Sequence, residues 1–161
     1  MTDEERKRHA LELFQQAYAK QMEGELEETV ASYRRSLDLY PTAEAYTFLG
    51  WSYSFMGRYD EAIRECLNAI DLDPDFGNPY NDIGAYLIEL GRIDDAIPWL
   101  KQAVAAKRYE SRCFAHFNIG RIYERKGQWL QAVDAYERAL HANPSYQLAG
   151  HALSRLRGLL N

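Results

Sequence analysis

The sequence predicts an all-α chain of four stacked helix hairpins closed by a C-terminal capping helix. Three observations carry that expectation. One phrase returns along the chain, as GRYDEAIRECLNAIDLDP from Gly57 to Pro74, GRIDDAIPWLKQAV from Gly91, and GQWLQAVDAYERALHANP from Gly127 to Pro144. Gly24, Gly57, Gly91 and Gly127 stand at spacings of 33, 34 and 36 residues. Apolar residues recur at helical spacing on both sides of each glycine, as in Tyr46, Leu49, Gly50, Tyr53 and then Tyr59, Ala62, Ile63, Cys66, Ala69, Ile70.

The units in order cover residues 10–42, 43–76, 77–112 and 113–146, with the capping helix at 147–161, all within a single domain 1–161. In the first, the opening helix is expected to begin early, because Thr2-Asp-Glu-Glu5 has the form of a capping box. Gln16 and Lys20 replace the Leu49, Ile83, Ile119 and Tyr53, Leu87, Tyr123 of later units, as suits a terminal unit with one side in water. The stripe Leu11, Phe14, Tyr18, Met22 either faces outward by strict register or, after a two-residue slip, enters the core. Each unit places a small residue seven before its glycine (Ala17, Gly50, Gly84, Gly120), which lets the paired helices approach closely. Thr29, Ala62, Ala96 and Ala132 follow each glycine by five, and Ser36, Ala69, Ala103 and Ala139 by twelve. Glycine suits the end of the first helix, and Pro41, Pro74 and Pro144 stop three of the second helices. The third unit has Arg108 in the proline's place and two extra residues. Pro98, about one turn into a second helix, predicts a small kink. In the tail SYQLAGHALSRLRGLLN, Leu148, Leu153, Leu156 and Leu160 would cover the last pair.

This pattern of small residue, Tyr, turn Gly, aromatic, Ala, aromatic, Ala and Pro at a period near 34 resembles the tetratricopeptide repeat family over about residues 10–144. Units two and four carry it best, through Gly50, Tyr53, Gly57, Tyr59, Ala62, Ala69, Pro74 and through Gly120, Tyr123, Gly127, Trp129, Ala132, Tyr136, Ala139, Pro144. The resemblance implies a right-handed α-solenoid whose first helices line a concave groove for partner peptides.

Composition excludes several classes. The 19 Lys and Arg are dispersed among 24 Asp and Glu, for a net charge of −5, so the clustered basic footprint of a nucleic-acid binder is missing. No stretch approaches the roughly 20 apolar residues of a membrane span. The opening MTDEERKRHA has no apolar core of a secretory signal. Cys66 and Cys113 have no CxxC spacing and read as two reduced, buried thiols, which fits a cytoplasmic location.

Candidate chemistry is equally thin. His9, His116, His141 and His151 lie in different units, so neither a metal site nor a cofactor is expected. Cys113 and His116 are neighbours on one helix without a third group to orient them. Both glycines of NDIGAYLIELG belong to the repeat rather than to a phosphate loop. Asp60-Glu61 and Asp94-Asp95 open second helices, where the macrodipole favours negative charge. The expectation is a protein that is not an enzyme.

Under the resemblance, the groove columns hold Thr47 and Trp51, then Asn81 and Ala85, then Phe117 and Arg121, with Phe55, Glu89 and Arg125 one turn on and Ile88 and Asn118 beside them. Trp51 and Phe55 are either interface anchors or part of a helix, WSYSF, buried on all sides. Asn81 and Asn118 could bond an extended peptide backbone, or be solvated polar residues. Arg121, Arg125 and Arg155 suggest a basic end, opposite an acidic one containing Glu44, Asp82 and Glu89. The columns lack the Lys, Arg and Asn set with which some members clamp a C-terminal carboxylate. The leading expectation is a scaffold that binds a protein or peptide partner through Thr47, Trp51, Phe55, Asn81, Ile88, Glu89, Phe117, Asn118, Arg121 and Arg125. The alternative is a homo-oligomer associating through its terminal helices.

Overall fold

A computed structural model describes all of residues 1–161 as nine helices. They are α1 (Asp3–Met22), α2 (Leu26–Leu39), α3 (Ala43–Phe55), α4 (Tyr59–Leu72), α5 (Asn78–Glu89), α6 (Ile93–Ala105), α7 (Arg112–Arg125), α8 (Trp129–Ala142) and α9 (Gln147–Leu160). Each odd helix packs closely on the even helix that follows it, and each even helix on the next odd one. Successive odd helices from α1 to α7 also touch one another, whereas the even helices make no comparable contact among themselves. The odd helices therefore line the inner face of a solenoid and the even ones splay outside.

The hairpin turns follow from the four spaced glycines. Gly24, Gly57, Gly91 and Gly127 have φ of 83°, 74°, 77° and 70°, a region that side chains with a Cβ rarely enter. Each makes a Schellman turn: Arg58 N–H donates to the Tyr53 carbonyl at 3.0 Å while Gly57 N–H donates to the Ser54 carbonyl at 3.0 Å, and the other three turns repeat the pair. At the seam, a Cβ on Gly50 would lie 2.8 Å from the Ala62 carbonyl oxygen, and one on Gly120 would lie 2.5 Å from the buried ring of Tyr136. The largest part of the core holds Tyr33, Leu49, Ile83, Leu100 and Ile122, all fully buried, and a separate part around Tyr136, Leu153 and Leu156 joins α8 to α9.

At the N-terminus the capping box forms, Glu5 N–H donating to Thr2 Oγ1 at 3.1 Å and Thr2 N–H to Glu5 Oε2 at 2.8 Å. The first turn of the chain keeps strict register: Leu11, Tyr18 and Met22 are exposed while Phe14 dips onto Tyr33 and Phe48. Gln16 is exposed, and Lys20 reaches Glu28 at 3.4 Å. This side of α1 faces solvent, so polar residues stand where later units place Leu49 or Ile83. The helix α6 runs unbroken through Pro98.

The third unit closes differently from the others. Where a proline would stop the helix, Arg108 pairs with Phe76 in a one-residue parallel bridge, its N–H donating to the Asp75 carbonyl at 2.9 Å while Gly77 N–H donates to the Arg108 carbonyl at 2.9 Å. The Arg108 guanidinium donates to Glu44 at 3.0 Å and Asp73 at 2.5 Å and lies over the Phe76 ring. Arg112 donates to the carbonyls of Val104, Ala106 and Tyr109. The closing segment is thus tied to the second unit and to its own, and it carries Tyr109 under the start of α5, where only a glycine at position 77 leaves room: a Cβ there would lie 2.4 Å from Tyr109 Cβ.

Candidate functional site

Helix α3 presents the inner face most openly. Phe55 is 56% exposed and Trp51 half-buried, while Ser52 and Tyr53 on the opposite side are buried. The helix is therefore not enclosed on all sides. Aromatic rings run in a row from α1 along α3: Phe14 to Phe48 at 5.3 Å, Tyr18 to Phe48 at 5.8 Å, Phe48 to Trp51 at 5.8 Å and Trp51 to Phe55 at 5.0 Å between centroids. The spacing i, i+3, i+7 on α3 puts all three of its rings on one face.

Next to this row lies a pocket of about 330 Å³ between α3, α5 and α7. Thr47, Phe48 and Trp51 form one wall and Asn78, Asn81 and Asp82 another; Phe114 and Tyr109 complete it. Burial pushes the Asp82 carboxyl up to about 7, opposed only by hydrogen bonding from Asn81. The Tyr109 hydroxyl is buried without a hydrogen-bond partner, and burial with the nearby Asp82 carboxylate holds its pKa far above the ordinary phenol range.

Several expected groove residues turn out to be engaged within the chain. Asn81 and Asn118 are buried and bonded to each other, Asn118 Nδ2 donating to Asn81 Oδ1 at 3.0 Å, so they brace α5 against α7 rather than offer free amides to a peptide. Ile88 is 1% exposed and belongs to the core; α5 turns it toward α6 and away from the groove. Thr47 is buried and donates its hydroxyl to the Ala43 carbonyl of its own helix at 2.7 Å. Two carboxylates of the expected acidic end are paired within the chain. Glu89 pairs with Arg121 at 3.2 Å, and Glu44 pairs with Arg108, because each faces an arginine of a following unit across the stack.

The remaining positive charge gathers toward the C-terminal end. Phe117, Arg121, Arg125, His151 and Arg155 surround a second pocket of about 430 Å³, in which Glu124 is the one carboxylate and already binds Arg155 at 2.8 Å. Arg121 donates to Asn118 Oδ1 at 3.1 Å, and Arg125 to the Ile88 carbonyl at 3.4 Å. Phe117 lies between Tyr136 and Tyr146, at 5.6 and 5.4 Å, and so serves the packing of α7 on α8 and α9 more than the open surface.

Thr47, Trp51 and Asn81 therefore share the middle pocket with Phe55 beside it, and Phe117, Arg121 and Arg125 share the second. Sequence reasoning did not include Phe48, Asn78, Asp82, Tyr109 or Phe114 among the site residues. Asp82 had a legible signal: neither residue three or four positions away on either side is cationic. Tyr109 sits in the two-residue insertion of unit three, which periodicity marks as irregular but cannot place.

His116 is half-buried, and burial lowers its pKa. No group of three or more His, Cys, Asp or Glu could hold a metal ion, and no helix is long and apolar enough to cross a membrane. Cys66 and Cys113 are both free and buried.

Two family models, each described as tetratricopeptide repeat, match residues 75–144 and 43–76. Among curated proteins, a TPR repeat-containing thioredoxin of Arabidopsis thaliana, TTL4, is 30% identical over 74 residues, covering 45% of this chain and 11% of that protein. The chain thus spans only about a tenth of the curated relative it matches. Among solved structures, PilF of Pseudomonas aeruginosa superposes with a TM-score of 0.86 at 21% identity, over 94% of this chain and 68% of that one. PilW, described as a widely conserved type IV pilus biogenesis factor, gives 0.84 at 23%, over 93% and 69%. MamA gives 0.71 at 22%, over 87% and 81%. These likenesses show the fold; the two matched segments together run from residue 43 to 144 with the same repeat. The chain belongs to the tetratricopeptide repeat family, whose members are generally non-catalytic scaffolds for contact with other proteins.

Proposed function

We propose that the protein is a non-enzymatic scaffold whose inner face binds an extended segment of a protein partner, anchored by an apolar or aromatic side chain on α3. The observation that carries this reading is the ring row Phe48, Trp51 and Phe55, which ends in a phenylalanine more than half exposed on the inner face. Solvent-facing aromatics next to a pocket are the usual anchors of an interface, since they bury large area at little cost in rotamer entropy. Arg121, Arg125 and Arg155 at the far end supply donors for an acidic group of the same segment. A cytoplasmic location belongs to the same reading and is supported by two thiols that are unpaired and buried; fractionation tests it.

Affinity capture with the full chain, comparing wild type with a Trp51→Ala/Phe55→Ala variant of unchanged helicity, tests the groove. A partner held by wild type and lost by the variant is the expected result. Equal recovery of the same partner contradicts it.

Self-association is a second reading, favoured by the exposed apolar side chains Leu11 and Met22 on α1 and Leu159 and Leu160 on α9. Light scattering across a concentration series decides it, because a strict monomer rules it out.

A further inference from the structure

The carboxylates that line the inner face mostly meet an arginine of the chain itself: Glu44 meets Arg108, Glu89 meets Arg121 and Glu124 meets Arg155. Asp82 meets none. The groups around it are Asn81, Cys66, Tyr86 and Tyr109, and none is cationic. The Asp82 carboxylate lines the middle pocket; Tyr109 lines it too, but its hydroxyl is buried and has no hydrogen-bond partner. A carboxylate in a pocket walled by Phe48, Trp51 and Phe114 thus lacks a cationic partner within the chain.

We propose that this pocket receives a lysine or arginine side chain of the bound partner segment, an inference that rests on the inner face being the docking surface. The aliphatic stem lies along the Trp51 and Phe48 rings, and the cationic head donates hydrogen bonds to the Asp82 carboxylate. A volume of about 330 Å³ admits one long side chain with its remaining water. An apolar side chain would desolvate the Asp82 carboxylate without giving it a cation, and an acidic one would add repulsion. A neighbouring apolar residue of the same segment then meets Phe55.

The assignment has a pH signature. With no cation present, burial holds the Asp82 carboxyl near 7; a bound cation favours its charged form, so binding tightens as pH rises from 6 to 8. Facing it, Cys66 from α4, Tyr86 from its own helix and Tyr109 from the insertion all have pKa values raised by burial and stay neutral in that window. The residues of α3 and α7 at the pocket, Thr47, Phe48, Trp51 and Phe114, do not titrate.

Selection of displayed random decapeptides on the full chain tests this. The expected clones lose binding to Trp51→Ala/Phe55→Ala and share a Lys or Arg at a fixed offset from an apolar residue. Their affinity falls about tenfold or more on Asp82→Asn, changes little on Tyr109→Phe, whose hydroxyl is buried, and weakens from pH 8 to pH 6. Both substitutions keep side-chain shape, and thermal melting checks that each variant is folded. Clones that depend on Trp51 and Phe55 but carry no basic residue, and bind Asp82→Asn unchanged, overturn the pocket assignment and leave the groove standing. If no clone depends on Trp51 and Phe55, the groove reading fails, and the pocket assignment falls with it.

Discussion

At the seam of each hairpin the same demand is met four times, by Ala17, Gly50, Gly84 and Gly120, each buried against the following helix. Three residues earlier, on the inner face, the equivalent positions are Phe14, Thr47, Asn81 and Phe117, and one residue after the seam they are Tyr18, Trp51, Ala85 and Arg121. The first column is uniform because every unit must bring two backbones together in the same way. The second varies in residue type but is engaged within the chain, whereas the third shares no property and stays at least partly exposed, so stacking does not dictate it. That contrast separates the residues that make the scaffold from those available to a ligand.

The sharpest way to break the scaffold is in its seams. Leu100, fully buried against Gly84, should cost about 2–5 kcal/mol as Leu100→Ala, read as a shift in the urea midpoint. Gly120→Ala should cost about 1–3 kcal/mol, since the buried Tyr136 ring 2.5 Å from the new Cβ has nowhere to go. On the inner face the same tests should give far less: Phe55→Ala should change stability by no more than about 0.5 kcal/mol while removing the partner.

Asp82 sharpens the comparison through pH. Its folded pKa, about 7, lies above its ordinary 3.8, so the folded state binds the extra proton between these values and stability falls as pH rises through that window. Asp82→Asn should therefore stabilise the free protein by about 1–2 kcal/mol above pH 7, a figure reduced for partial exposure, with the gain vanishing below about pH 4. Thermal melts at pH 4, 6 and 8 check the sign. A group that costs stability in the free protein fits a position kept for a ligand. A small gain is expected at Gly150, a helical glycine of α9 with no atom within 4 Å of an added Cβ, where Gly150→Ala should add about 0.5–1 kcal/mol.

The same contrast explains what could be read from the residues alone. The turn glycines, seam residues and capping box recur or follow local rules, so each hairpin was legible. The inner face was legible only as a direction. Helical register put Trp51 and Phe55 on it, yet Ile88 at a neighbouring angle falls into the core because α6 covers that side of α5. The partnering of Asn81 with Asn118, and of Glu89 with Arg121, joins residues 37 and 32 positions apart, distances that no pattern within one helix encodes. Tyr109 reached the pocket through Arg108 and Arg112, whose bonds to neighbouring loops depend on the assembled stack.

Amide hydrogen exchange on the full chain, with and without a peptide recovered by the selection, tests the central claim most directly. Binding through the inner face predicts slowed exchange concentrated in α3, α5 and α7, with α4, α6 and α8 little changed. Protection confined to the even-numbered helices or to α9 would contradict it and move the partner to the outer surface.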